Sequence, residues 1–186
     1  MGGFAYGNYG TMLCCRFDHG MLYSALRYGY FGGIVAKNYG GEISDCAVEH
    51  LKIQTIDNPS IMTDTSPSVT KTGLCVGGIA GYQSGGRIVN CSSFYEASCL
   101  SPGRENIGGI VGHLEDGVDR VFFADVKYAT SEISNCICAG KLYGKTVGGI
   151  VGKVTLTESA SEVLLRNNLS LTRVEEGYWW RGCWAA

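Results

Sequence analysis

The residues best suited to chemistry are gathered in one polar stretch, residues 113–132. Four of its carboxylates and a guanidinium are the candidate binding groups, on Glu115, Asp116, Asp119, Asp125 and Arg120. The same stretch also contains Lys127, Phe122, Phe123 and Tyr128. Carboxylates can hold a cation or accept hydrogen bonds from sugar hydroxyls, and aromatic rings can stack on sugar rings. The alternative is that the charges only keep a long loop in solution, which is the commoner use of charged loop residues.

A second stretch matches the relaxed pattern of a phosphate-binding loop, from Ala139 to Lys145-Thr146. Such a loop follows a strand and opens a helix, whose N-terminus binds the phosphates. Here the threonine leads directly into Val147-Gly148-Gly149-Ile150, a β-type segment that recurs elsewhere in the chain. We therefore expect no nucleotide site and no phosphate near Lys145.

Histidine and cysteine give little indication of a metal centre. His19, His50 and His113 are far apart in the sequence, and none has a partner at ligand spacing. The nine cysteines include no paired Cys-x-x-Cys motifs, and their odd number prevents complete internal pairing. We expect no metal, no cofactor and no catalytic histidine; surface or turn positions suit these histidines better.

An internal repeat organises the chain. Its first motif is a Gly-Gly pair followed by Ile, found at Gly32-Gly33, Gly77-Gly78, Gly108-Gly109 and Gly148-Gly149, with a degenerate copy at Gly2-Gly3. Its second motif is Ile-x-Asx-Cys, which ends at Cys46, Cys91 and Cys136. The repeats lie near 2–31, 32–76, 77–107, 108–147 and 148–186. Longer steps between the glycine pairs predict two insertions, at 50–73 and 113–132.

Short apolar runs broken by glycine pairs and polar turns predict an all-β chain. In tandem, units with two or three short strands suit a right-handed parallel β-helix, or solenoid, of about five coils with two inserted loops. Coils stack about 4.8 Å apart, so equivalent residues form ladders. The Gly-Gly pairs then mark a corner where the backbone takes a positive φ or approaches the next coil closely.

Three ladders follow from this alignment. Ile34, Ile79, Ile110 and Ile150 should form an inward aliphatic ladder. Asp45, Asn90, Asn135 and Asn167 should occupy a left-handed bend and hydrogen-bond from coil to coil. Cys46, Cys91 and Cys136 should point inward as free thiols, because side chains about 4.8 Å apart and parallel do not meet the geometry of a disulfide.

Bulk properties exclude several classes of protein. A net charge of −2 gives no reason to expect nucleic acid as a partner. No apolar run is long enough for membrane insertion, and the N-terminus does not read as a signal peptide. The aromatic run Tyr178–Trp184 suggests either a cap or a core that continues. We expect a single repeat domain, a fragment of a longer chain.

The Gly-Gly-Ile-Val-Gly and Ile-Ser-Asn-Cys segments resemble the GLUG motif, a repeat of bacterial surface and secreted proteins that include adhesin-like chains. The resemblance covers most of the chain outside the insertions and implies a non-catalytic structural or adhesive module. It implies an extracellular or cell-surface location, with a host protein or glycan, and further repeats of the parent chain, as partners. The alternative is a carbohydrate-active β-helix enzyme, a polysaccharide lyase or hydrolase, that uses the acidic insertion.

Overall fold

The computed structural model describes residues 1–25, 28–55, 73–99, 105–116, 130–156 and 162–176. This part of the chain contains nineteen β-strands and no helix. The strands form four parallel sheets, and each coil of the chain contributes one strand to each sheet in turn. The all-β parallel solenoid of about five coils predicted from the repeat is therefore confirmed. Its right-handed sense stays a prediction.

Sheet 1 ends at the first glycine of each pair and comprises β4 (Gly29–Gly32), β8 (Leu74–Gly77), β12 (Glu105–Gly108) and β16 (Thr146–Gly148). Sheet 2 follows the glycine corner and comprises β1 (Ala5–Asn8), β5 (Val35–Tyr39), β9 (Ala80–Ser84), β13 (Val111–Glu115) and β17 (Val151–Thr155). Sheet 3 comprises β2 (Thr11–Leu13), β6 (Glu42–Ser44), β10 (Gly86–Val89), β14 (Ser131–Ser134) and β18 (Val163–Arg166). Sheet 4 comprises β3 (Arg16–Ser24), β7 (Ala47–Thr55), β11 (Ser92–Cys99), β15 (Ile137–Gly144) and β19 (Leu169–Glu176).

A coil thus has four strands, and the expectation of two or three was wrong. The Gly-Gly-Ile corner divides what reads in the sequence as one apolar segment. Phe31-Gly32, for example, belongs to one sheet and Val35-Ala36 to the next. Each strand is so short that hydrophobic alternation cannot mark its ends.

The paired glycines stack in register as predicted. Gly32 pairs with Gly77, Gly77 with Gly108, and Gly108 with Gly148. None of the eight glycines in the four pairs has a positive φ. Close approach is the reason for glycine: a Cβ on Gly77 would lie 2.7 Å from the backbone nitrogen of Gly112 in the next coil. Backbone atoms cannot rotate away, so the corner admits no side chain.

The aliphatic ladder fills the centre of the solenoid. Ile34, Ile79 and Ile110 are fully buried, and Ile150 in the last coil is half-buried. Backbone hydrogen bonds hold the ladder in register, with the Ile34 amide donating to Ile79 O (3.0 Å) and the Ile79 amide to Ile110 O (3.0 Å). Burial of this ladder supplies much of the hydrophobic stabilisation of the fold.

The Asx ladder is confirmed in both conformation and bonding. Asp45, Asn90, Asn135 and Asn167 have φ between 51° and 54°. Nδ2 of Asn90 donates to Asp45 Oδ1 (3.2 Å), Nδ2 of Asn135 to Asn90 Oδ1 (3.3 Å), and Nδ2 of Asn167 to Asn135 Oδ1 (3.3 Å). Asn tolerates the left-handed bend that joins sheet 3 to sheet 4, and its amide bridges neighbouring coils.

Replacing Asn135 with alanine should lower the free energy of unfolding by about 2 kcal/mol, because the left-handed bend disfavours alanine and two ladder bonds disappear. Replacing it with glycine removes only the bonds and should cost about half as much. Urea denaturation of both variants measures the difference. A glycine variant less stable than the alanine variant would contradict this account of the bend.

Connection lengths divide the four corners into two kinds. The corners from sheet 1 to sheet 2 and from sheet 3 to sheet 4 keep the same two-residue link in every coil, for example 78–79 and 90–91. The other two corners vary: the link from sheet 2 to sheet 3 is Gly85 alone in one coil and 116–130 in the next. Both predicted insertions fall at variable corners.

The bounds of the predicted insertions need correction. Residues 50–55 belong to β7, and residues 113–115 and 131–132 belong to β13 and β14. Polar residues at these positions suggested loop, but they alternate with buried residues such as Leu51, Ile53 and Leu114. The connections themselves are 56–73 and 116–130.

Candidate functional site

The predicted acidic cluster begins at the end of β13. The carboxylate of Glu115 accepts a hydrogen bond from the Tyr82 hydroxyl (2.6 Å) and lies 3.5 Å from Nε2 of His113. Asp116 is buried, and its amide donates to Thr155 O (3.2 Å). The carboxylate of Glu115 therefore takes part in the contact between coils, and Asp116 joins it through its backbone. Asp119, Arg120 and Asp125 lie outside the described residues.

The residues that match the phosphate-loop pattern do not adopt the structure of a phosphate-binding loop. Ala139 to Gly144 lie in β15, and Thr146 begins β16. The Lys145 amide donates to Oε2 of Glu105 (3.3 Å), so a carboxylate occupies the position where a phosphate would have to bind. No helix follows in the described part of the chain, which removes the element that would hold the anion.

The cysteine ladder is buried as predicted. Cys46, Cys91 and Cys136 are at most 2% exposed, and all eight cysteines among the described residues are free thiols. Each thiol donates a hydrogen bond to a backbone carbonyl, from Cys46 to Ser44 O (3.2 Å), from Cys91 to Val89 O (3.3 Å) and from Cys136 to Ser134 O (3.3 Å). The neighbouring thiols of Cys136 and Cys46, together with burial, raise the pKa of Cys91. The ladder is inaccessible to solvent, so its role is packing.

His113 is a buried histidine on sheet 2. Its Nε2 lies 2.9 Å from Thr155 Oγ1, and its Nδ1 has no hydrogen-bond partner within the described ranges. Burial, reinforced by the positive charge of Lys153, lowers the pKa of His113 to about 4. The ring is therefore neutral near pH 7, which does not suit a charged binding role.

His113 should make the protein sensitive to acid. Between about pH 6.5 and 4 the unfolded chain binds a proton at this histidine and the folded chain does not, so acidification favours unfolding. The stability that depends on neutral His113 is present above pH 6.5 and falls by on the order of 3 kcal/mol towards pH 4. His113→Gln should flatten this part of the curve of unfolding free energy against pH. Parallel curves for the two proteins would contradict the assignment.

Sheet 2 carries an aromatic strip that runs across three coils. The rings of Tyr9 and Tyr39 stack with centroids 5.3 Å apart, and Tyr39 meets the edge of Tyr82 at 5.8 Å. The ammonium of Lys37 lies 4.3 Å from the ring centroid of Tyr30 and 5.4 Å from that of Tyr39. Exposed or half-buried rings beside a cation can stack on sugars or bind aromatic side chains. The matching Asn8-Tyr9-Gly10 and Asn38-Tyr39-Gly40 segments are the sequence indication of this strip.

Sheet 4 carries a shallow groove of about 430 Å³. Equivalent residues of successive coils form an exposed column along it, with alternating charge at Lys52, Glu96 and Lys141. The ammonium of Lys52 lies 3.8 Å from the carboxylate of Glu96. Exposed ion pairs contribute little stability, so this column is better placed for recognition than for folding.

Two histidines that look isolated in the sequence meet on sheet 4. The rings of His19 and His50 stack with centroids 4.2 Å apart, and both contact Asp18. The sequence prediction that neither has a partner was therefore wrong. The separation of 31 residues hides the pair unless the coil register is known.

Comparison of the chain with models of known protein families gave a match. Residues 72–94 match the family model described as the GLUG motif. The chain contains a GLUG motif. Comparison of the chain with curated proteins and with solved structures found no match.

The matched GLUG motif corresponds to one passage through sheets 1, 2 and 3 and into sheet 4, over β8, β9, β10 and the start of β11. Its glycine corner and its Asx bend are the two corners whose length never changes. The other coils repeat both corners in register with the GLUG motif. The motif therefore contains both corners of constant length. The long connections 56–73 and 116–130 lie at the other two corners.

The described part of the chain contains no helix long and apolar enough to cross a membrane.

Proposed function

We propose that this chain is a non-catalytic structural and adhesive module of a bacterial cell-surface or secreted protein. In this role it holds loops and sheet faces for binding a host protein or a glycan. The observation that supports the proposal best is the division of corners into constant and variable ones. A scaffold with two invariant corners tolerates connections of any length at the other two, which is how loops are presented for recognition.

Two surfaces on the scaffold suit a glycan. The aromatic strip offers Tyr9, Tyr39 and Lys37, and the groove on sheet 4 offers charged and hydrogen-bonding groups in alternation. Sugar binding commonly combines a ring that stacks on the apolar face of the sugar with polar groups that fix its orientation.

The alternative is catalysis on an acidic polysaccharide. It requires carboxylates of the acidic stretch to reach a substrate. Glu115 accepts a hydrogen bond from Tyr82, and Asp116 is 3% exposed, so neither favours this alternative.

The test compares the intact protein with two deletion variants on a panel of immobilised glycans and matrix proteins. One variant joins Glu115 to Ser131 through a single glycine, as Gly85 joins β9 to β10, and the other shortens 56–73. The proposal predicts that at least one deletion abolishes binding while the melting temperature changes by only a few degrees. Tyr39→Ala is the matched test of the aromatic strip.

Two results would overturn the proposal. One is the absence of any binding that depends on the deleted loops or on Tyr39. The other is turnover of a polyuronide that is lost in Asp116→Asn, which would establish the enzymatic alternative instead.

A further inference from the structure

Two histidines and an aspartate converge on the outer face of sheet 4, where β3 stacks on β7. Nδ1 of His19 lies 2.7 Å from Oδ1 of Asp18, and Nδ1 of His50 lies 2.9 Å from the same oxygen. One ligand atom from each residue can be chosen so that all three lie within 4.8 Å of one another. All three side chains are exposed, so an ion in solution can reach them.

Both histidines are extra residues in their strands. Asp18 pairs with Glu49 and Gly20 with Leu51, which leaves His19 and His50 as equivalent positions of two stacked bulges. The third coil lacks the bulge, because the register between β7 and β11 shifts at Phe94/Tyr95 and passes over His50. A bulge turns a side chain away from the regular alternation of the strand.

The bulges have a conformational cost. His19 has φ 57° and His50 has φ 53°, a left-handed conformation that is uncommon in residues other than glycine and that histidine adopts more often than most others. Glycine would fit at both positions without this cost. The chain instead has an imidazole at both, which points to a use for the side chains.

Asp18 contacts the two imidazole rings and not the nearby arginine. Arg16, the nearby cation on β3, binds Glu49, with 2.6 Å between Nη2 and Oε2. Oδ1 of Asp18 contacts Nδ1 of both histidines instead of a cation. The two rings stack with centroids 4.2 Å apart, which places a nitrogen of each beside the same carboxylate oxygen.

We propose that Asp18, His19 and His50 form a binding site for a divalent transition-metal ion that joins the first coil to the second. Two imidazole nitrogens and one carboxylate oxygen suit Zn²⁺, Cu²⁺ or Ni²⁺, whereas Ca²⁺ and Mg²⁺ require mostly oxygen ligands. An imidazole binds a metal ion through an unprotonated nitrogen, so each ring would carry its remaining proton on the nitrogen that faces away from the ion. Asp18 changes from hydrogen-bond acceptor to ligand.

Three protein ligands leave at least one position on the ion open. Water fills it in the isolated module, and a carboxylate or imidazole of a partner can replace that water. The proposal does not depend on the adhesive function, because the ion also acts within the chain as a link between coils.

The test is a titration with Zn²⁺ alone, followed by competition with a chromophoric chelator and by the imidazole signals in NMR spectra. His19→Gly and His50→Gly are the informative variants, because glycine keeps the left-handed backbone and removes only the ligand. Each should weaken Zn²⁺ binding by at least about tenfold. Saturating Zn²⁺ should raise the melting temperature of the wild type by about 5 °C and of neither variant.

Cysteine thiolates also bind Zn²⁺, so Cys14→Ser and Cys15→Ser are the matched controls at the neighbouring corner. The proposal requires these variants to bind Zn²⁺ as the wild type does, with the ring signals of His19 and His50 shifting on titration. It is wrong if both glycine variants retain wild-type affinity, or if only the serine variants lose it.

Discussion

Replacing Gly108 with alanine is expected to lower the free energy of unfolding by about 3 kcal/mol or more. The added Cβ would lie 2.6 Å from the backbone nitrogen of Gly152 in the next coil and 2.8 Å from the carbonyl carbon of Val111. Both obstacles are backbone, so no change of rotamer relieves them. The Gly108 carbonyl also accepts a hydrogen bond from the buried Tyr95 hydroxyl (2.7 Å), which ties the corner to sheet 4.

Gly10→Ala is the matched control for this experiment. Gly10 lies between β1 and β2, and a Cβ there would have no neighbour within 4 Å. It should change the free energy of unfolding by no more than about 0.5 kcal/mol. Chemical denaturation of both variants makes the comparison, and equal stability of the two would show that the glycine corner is not closely packed.

Replacing Ile79 with alanine is expected to cost about 3 kcal/mol, because it removes buried methyl groups from the middle of the ladder and leaves a cavity between Ile34 and Ile110. The smaller change Ile79→Val should cost about 1 kcal/mol. Contacts between coils stabilise the stack, so the loss should appear as a lower unfolding midpoint of the whole domain.

Met21→Ala serves as the control for the ladder. Met21 is 59% exposed on sheet 4, so its truncation should change stability by at most about 0.5 kcal/mol. Thermal and urea unfolding of the three variants measure the series. An Ile79→Ala variant as stable as Met21→Ala would place the ladder outside the core.

The sequence was sufficient for the scaffold because the scaffold depends on repeated local chemistry. Asn90 and Asn135 indicate a left-handed bend by residue type alone, and the spacing of Gly77 and Gly108 gives the register. The choice between a positive φ and close approach at the glycines could not be made in advance, since glycine suits both. Only the position of the next coil decides it.

The candidate sites were harder to predict because they depend on relations between coils. His19 and His50 become neighbours only when two bulges align, and a bulge adds a single residue with no compositional mark. His113 resembles the other two histidines in sequence, yet it is buried and neutral. The polar residues of β13 and β14 resemble loop residues in the sequence. They lie in strands because neighbouring coils bury polar side chains as well as apolar ones.

The central claim is that equivalent residues of successive coils stack in register, and distances along one column test it most directly. Spin labels carried by unnatural amino acids can replace the exposed residues Met21, Lys141 and Arg173, which occupy equivalent positions of one column on sheet 4. The account predicts separations that increase by about 4.8 Å per coil, to roughly 14 Å for Met21–Lys141 and roughly 19 Å for Met21–Arg173. Distances that do not rise with coil number would contradict the parallel stack.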